Sequence, residues 1–176
     1  MKLNATMRSM ILVSSFFVSF VTYVLTNVVS AEDDSPWISV KLLTLETSLK
    51  IAQAAISTCR KEGVQISVTV VDRAGDRQVL LRDVLAPEIS DTISEQKARA
   101  ALSFNAKTSQ LSGRFTKHGS VAKTEGLIFS AGAVPISAGG RRLGGVGVSG
   151  APSGTLDEKC AQAGVDAVLD DLEMAE

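Results

Sequence analysis

The chain has little of the chemistry that usually marks a metal centre or a catalytic triad. Its 176 residues include one histidine, His118, and two cysteines, Cys59 and Cys160. The cysteines form no C-x-x-C pair and His118 is distant from both in sequence, so a zinc site of the usual kind is not supported. There is no basic tract either. Recognition of nucleic acid rests on clustered Lys and Arg that neutralise phosphates, and that partner class is excluded. Internal repeats, linkers and a second-domain boundary are also missing. What remains is one near-neutral domain, long enough to bury a core.

The N-terminus differs from the rest. Lys2 and Arg8 precede an uncharged run from Ser9 to Ser30, and Val29-Ser30-Ala31 has the small-x-small form of a secretory cleavage site. The pattern predicts a signal peptide over 1–31, a flexible mature N-terminus over 32–42 and a domain over 43–176. The expected location is secreted or periplasmic. The run could also span a bilayer as an uncleaved anchor, which would be the only membrane attachment. Ser14, Ser15, Ser19, Thr22, Thr26 and Asn27 weaken it in that role, because polar groups in lipid are costly. Removing the leader takes away Lys2 and Arg8 and leaves 16 basic residues against 19 acidic. An exported chain meets an oxidising compartment. Cys59 and Cys160 then either bridge or sit buried as small apolar side chains, and sequence does not give the Cα separation that decides.

Periodicity supplies the elements. Leu45, Leu49, Ala52, Ile56 and Cys59 recur at helical steps after Thr44, a capping residue, and Gly63 ends that helix. Val64–Val70 alternates strictly and predicts a strand with one buried face. Turn chemistry at Asp72–Asp76 and a strand over Gln78–Arg82 complete a hairpin. Asp91 or Thr92 can cap a second helix, Thr92 and Glu95 having capping-box spacing. This helix runs to about Phe104 and is rich in small residues, Ala98, Ala100 and Ala101, so that a strand, another subunit or a flat ligand can approach closely. Thr108 opens a short helical segment reaching Phe115. Gly126–Ser130, Val134–Ile136 and Leu143–Val148 read as strands, with Pro135 at an edge or bulge. Thr155 and Glu158 form a second capping box before a last helix lined by Ala161, Val165, Val168 and Leu172. The expected fold is an α/β (α+β) sandwich with a five-stranded antiparallel sheet, in the order α-β-β-α-β-β-β-α.

Gly145, Gly147 and Gly150 spell G-x-G-x-x-G. A dinucleotide loop needs a parallel strand ending in Asp or Glu some 20 residues later. Here one helix follows and the chain ends, so the glycines read as close packing. Ser149 fails the nucleophile elbow, since Ala151 stands where its last glycine belongs. His118 is either a solvated loop residue or an axial ligand to haem iron. Lys97 is either a paired lysine or a cation that meets a ligand's acid. Asp72 and Asp76 suit turn bonding, and Asp157 and Glu158 suit a helix N-terminus.

Three stretches, in order, carry a resemblance: LTLETSLKIAQAAISTCRKEGVQISVTVVDRAGDRQVLLR (Leu43–Arg82), SEQKARAALSFNAKT (Ser94–Thr108) and GAVPISAGGRRLGGVGVSGAPSGTLDEKCAQAG (Gly132–Gly164). Together they resemble the GlcG/HbpS-like haem-binding family, related to the C-terminal domain of PduO-type proteins. The resemblance implies a profilin-like sandwich, homo-oligomeric assembly and haem as cofactor. It also implies a role in haem or iron handling or sensing. By its place after the small-residue helix, Thr108 matches a threonine implicated near the haem, with Lys97, Ala101 and Phe104 leading into it. His118 matches no motif position and is a metal-ligand candidate on chemistry alone. The expected function is therefore non-catalytic haem or tetrapyrrole binding. The alternatives are an enzyme that breaks down haem or a small organic acid, and a non-catalytic oligomeric sensor module.

Overall fold

The computed structural model describes residues 35–115 and 121–175. The expected leader over 1–31 and His118 lie outside the described residues. The chain divides into two units, Met1–Ser39 and Val40–Glu176. In the first, residues 35–39 are irregular and mostly exposed, and the Trp37 amide donates to Ser35 Oγ at 3.4 Å. The second contains α1 (Leu45–Lys61), β1 (Ser67–Asp72), β2 (Arg77–Arg82), α2 (Ile89–Phe104), the short α3 (Thr108–Leu111), a 3₁₀ turn (Val121–Lys123), β3 (Ala133–Ala138), β4 (Arg141–Ser149), α4 (Gly154–Asp166) and α5 (Leu169–Met174). None of the described helices is long and apolar enough to cross a membrane.

The fold is α+β, around an antiparallel sheet in the order β2-β1-β4-β3. Among the described residues the sheet has four strands, not the expected five. Gly126–Ser130 does not pair. Its Ile128 amide donates to the Gln96 carbonyl of α2 at 3.3 Å, and Phe129 packs on Phe104 and Phe115. A short apolar run does not reveal whether it will be buried by a neighbouring strand or by a helix end, and here the helix end takes it. The observed order is therefore α-β-β-α-α-β-β-α-α, with the 3₁₀ turn before β3.

The expectation that β1 buries one face also fails. Ser67–Val71 are buried throughout, because β1 is central and both sides of the sheet are covered. On one side α1 and α4 close over Val68, Val70, Val146 and Val148 with Ile51, Ala52, Ala55, Ala161 and Val165. Cys59 and Cys160 are bridged there, joining α1 to α4 (Cα–Cα 5.6 Å). On the other side α2 lies on β1 and β4, with Val71, Ala98 and Leu102 in contact and Thr69 Oγ1 2.7 Å from Ser94 Oγ. A Cβ at Gly147 would lie 2.1 Å from the Ser94 carbonyl oxygen, and one at Gly145 would lie 2.6 Å from that of Ala98. These two glycines of the G-x-G-x-x-G are thus where the helix meets the strand. Of the three partners expected for the small-residue helix, a strand fills the place of close approach.

Helix ends depart from four expectations. Thr44 does cap α1, its Oγ1 accepting from Thr47 N. However, α2 begins at Ile89, ahead of the expected cap at Asp91 or Thr92. Ser153, not Thr155, caps α4 by accepting from Leu156 N. Glu158 is thereby freed from a capping box and its carboxylate turns to α3. The last helix is interrupted after Asp166 and resumes as α5. The expected helical segment to Phe115 ends at Leu111.

Candidate ligand-binding site

Two adjacent carboxylates near the start of α4, Asp157 and Glu158, organise one end of the molecule. Asp157 reaches inward. Its Oδ2 lies 3.1 Å from Lys97 Nζ, and its Oδ1 accepts from Ala151 N at 3.0 Å. Lys97 also donates to the Val148 carbonyl at 3.2 Å. Lys97 and Asp157 are 4% and 3% exposed, so this is a buried ion pair bonded on both sides. Burial pushes the Asp157 carboxyl above its ordinary value, and the Lys97 charge pulls it part of the way back. Gly132 passes close beside the Lys97 side chain. A Cβ on it would lie 2.5 Å from Lys97 Nζ and 2.8 Å from the Val148 carbonyl oxygen, and its φ is +139°.

Glu158 reaches sideways. Its Oε2 accepts from Ser109 N at 2.9 Å, and its Oε1 accepts from Ser109 Oγ at 2.6 Å. Longer contacts, 3.4 Å each, come from Gly132 N and Thr108 Oγ1. Thr108 is fully buried at the sheet margin. Its Oγ1 accepts from Ala133 N at 2.9 Å and offers its proton to the Ala133 carbonyl at 3.4 Å. Val148 N donates to the Gly132 carbonyl across the β3–β4 ladder, so the backbone of Ala133 faces outward by alternation. The Thr108 hydroxyl takes the place there of a further strand.

Beside this wall stand three half-buried phenylalanines. Phe104 ends α2, Phe115 follows α3 and Phe129 comes from the unpaired run. Their ring centroids are 4.9, 5.5 and 4.9 Å apart, and the Arg114 guanidinium lies 5.7 Å from the Phe115 centroid. Such tilted arrangements suit ring quadrupoles and leave edges open to a further flat apolar body.

Of the residues singled out from sequence, Phe104 and Thr108 flank one short loop and share this end of the molecule. Ala101 is fully buried, and Lys97 lies nearly two turns back on α2, tied to Asp157. His118 is outside the described residues. Sequence reasoning missed Phe115, Phe129 and the reach of Glu158 across to α3. Phenylalanine is scarce in the expected mature chain, and that scarcity was the available signal for the aromatic cluster. Among the described residues no three His, Cys, Asp or Glu side chains gather as a metal site, and every buried polar side-chain atom has a partner.

The family model described as "Haem degrading protein HbpS-like" matches residues 43–166. The chain belongs to the HbpS-like family. A crystal structure of a double mutant of HbpS from Streptomyces reticuli is 39% identical, with a TM-score of 0.74 over 78% of this chain and 94% of that one. A protein of Klebsiella pneumoniae, ORFY, is 26% identical over 76% and 94% of the two chains, at a TM-score of 0.71. The PduOC–haem complex is 23% identical over 72% and 95%, at 0.66, and shares the fold. A comparison with curated proteins finds no match. The residues matched by the family model run from α1 through α4 and include Lys97, Asp157 and Glu158.

Proposed function

We propose that this protein binds haem or a related tetrapyrrole at the Phe104 end of α2, and that it does so as an exported homo-oligomer. The observation that carries the reading is the half-buried Phe104–Phe115–Phe129 cluster beside Thr108, in a chain of a family described as haem-degrading. The site's chemistry fits the group. A macrocycle needs an apolar, preferably aromatic, wall to lie on and a few polar groups to fix it. The three rings supply the wall. Arg114 lies at its edge, while Thr108, Ala101 and Lys97 are buried and would support it from beneath the surface. Both thiols are engaged in the disulfide. The candidate axial ligand, on its chemistry, is His118, the one imidazole of the chain and three residues after Phe115 in sequence. When bound, haem supplies a redox-active iron and an intense absorption band. The protein's own part is to hold the ring plane and limit its contact with water. Export rests on the leader-like sequence over 1–31, and a role in haem or iron handling follows from export together with binding.

Haemin titration of the purified protein tests the reading. The expected result is a saturable shift of the Soret band, lost or moved in position by His118→Ala and weakened by Phe104→Ser. An unshifted band in the wild type sinks the proposal. The family description favours a second reading, in which the bound haem is broken down. Under that reading a reductant together with dioxygen, the oxidant that ring opening needs, bleaches the bound Soret band and a defined product is released. Simple binding lets reduction move the band but does not destroy it.

A further inference from the structure

We infer that Glu158 is the positioning residue of this ligand wall: without touching the ligand, it fixes α3 and with it Thr108 and the approach to Phe115. The inference rests on the haem reading for its functional meaning, but its geometry stands apart from it. A helix of four residues does not hold itself together, because nucleation costs more than so few bonds return. At the start of α3 the N-cap position, Lys107, provides no side-chain hydrogen bond. The partner that meets its first turn is Glu158, through Ser109 N and Ser109 Oγ at 2.9 and 2.6 Å. The same carboxylate faces Thr108 Oγ1 and Gly132 N, each at 3.4 Å, so it spans the gap between α3 and the entry to β3.

The element that carries Glu158 is firmly held. Ser153 caps α4, Asp157 ties its first turn to Ala151 and Lys97, and Cys160 is bridged to α1 within the same helix. A carboxylate on a fixed base, accepting from three other residues, transmits that fixed geometry to a segment with little of its own. Thr108 is positioned through its neighbour Ser109. Its one short bond is accepted from Ala133 N, while its proton reaches its acceptors only over 3.4 Å, which is long for a hydroxyl donor. The chain leaving Leu111 then leads within four residues to the Phe115 ring.

The test compares wild type, Glu158→Gln, Glu158→Ala and Ser109→Ala by haemin titration and by amide hydrogen exchange without ligand. Glu158→Ala is expected to weaken haemin binding by roughly ten- to a hundred-fold, the range for groups that orient a ligating shell. Glu158→Gln, whose carbonyl oxygen can still accept from Ser109 N, and Ser109→Ala lose less. The bound Soret maximum stays at its wild-type position, since Glu158 does not reach the iron. Exchange at the Ser109 and Gly132 amides rises in Glu158→Ala while the sheet stays protected. Wild-type affinity in Glu158→Ala overturns the inference, and so does a displaced Soret maximum, which would make Glu158 a ligand contact. If Glu158→Ala does not fold, the Gln and Ser109 variants decide by the same two readouts. If the wild type binds no haemin, the haem reading falls by itself. Exchange still decides whether Glu158 fixes α3: unchanged protection at Ser109 and Gly132 removes that role, and a local rise sustains it.

Discussion

The two faces of the sheet are held by different means. Toward α1 and α4 the contact is aliphatic and continuous, with the Cys59–Cys160 bridge inside it. Toward α2 it is close and built of small groups: two glycines on β4, a Thr69–Ser94 hydroxyl pair, a minor apolar cluster and the buried Lys97–Asp157 pair. The first face derives its strength from area removed from water, which tolerates changes of shape. The second derives its fit from close backbone approach, which leaves no room for added atoms. The candidate site grows from the edge of the second face, where the elements are short and held by polar bonds.

Three experiments separate the faces further. The largest effect is expected from opening the bridge. Cys59 and Cys160 are 101 residues apart, and chain entropy alone assigns a loop of that length about 4.7 kcal/mol. A Cys59→Ala/Cys160→Ala protein should unfold at markedly lower denaturant, and an unchanged midpoint would mean that the aliphatic face suffices alone. Next comes Gly147→Ala, which adds one methyl where the Ser94 carbonyl already lies 2.1 Å from the Cβ position. Overpacking against backbone should cost about 3 kcal/mol. An added methyl of similar size on the aliphatic face, Val70→Ile, should cost less, and equal losses would erase the contrast.

The smallest effect is in pH dependence. Arg60 donates to Asp83 at 2.8 and 2.6 Å across α1 and the end of β2, and holds that carboxyl below its ordinary value. Its stabilisation is complete above the ordinary carboxylate range and is lost as pH falls through the lowered value. Asp157 is raised by burial, so its contribution is greatest when it is protonated and falls away as pH rises through the raised value. Melting curves should therefore diverge in sign. As pH rises, Asp83→Asn loses ground against wild type and Asp157→Asn gains it. Parallel trends in the two variants would break the comparison.

The face that the sequence reveals best is the aliphatic one. Of the helical face expected at Leu45, Leu49, Ala52, Ile56 and Cys59, the last three are buried while Leu45 is half exposed, and the Thr44 cap and the β1–β2 turn appear as expected. The other face was legible only as small residues, because an alanine-rich helix and a glycine-rich strand do not say that they are made for each other. The misread strand at Gly126–Ser130 and the misread capping box at Thr155 share one cause. In each, a local pattern competed with a distant partner, the Phe104 ring in one and Ser109 in the other, and the distant partner prevailed. The site was therefore half visible: Phe104 and Thr108 lie on one continuous motif, while Phe115, Phe129 and Glu158 arrive by tertiary contact.

Thr108 has a consequence beyond any ligand. Its hydroxyl occupies the outward amide and carbonyl of Ala133, and two residues on Pro135 has no amide to offer. The outer margin of β3 is thus sealed at successive outward positions, one by a borrowed side chain and one by a ring. A second chain cannot continue the sheet there by backbone pairing. Copies that meet along this side have to recognise each other through side chains, and the blunt margin guards the newly folded protein against runaway strand addition.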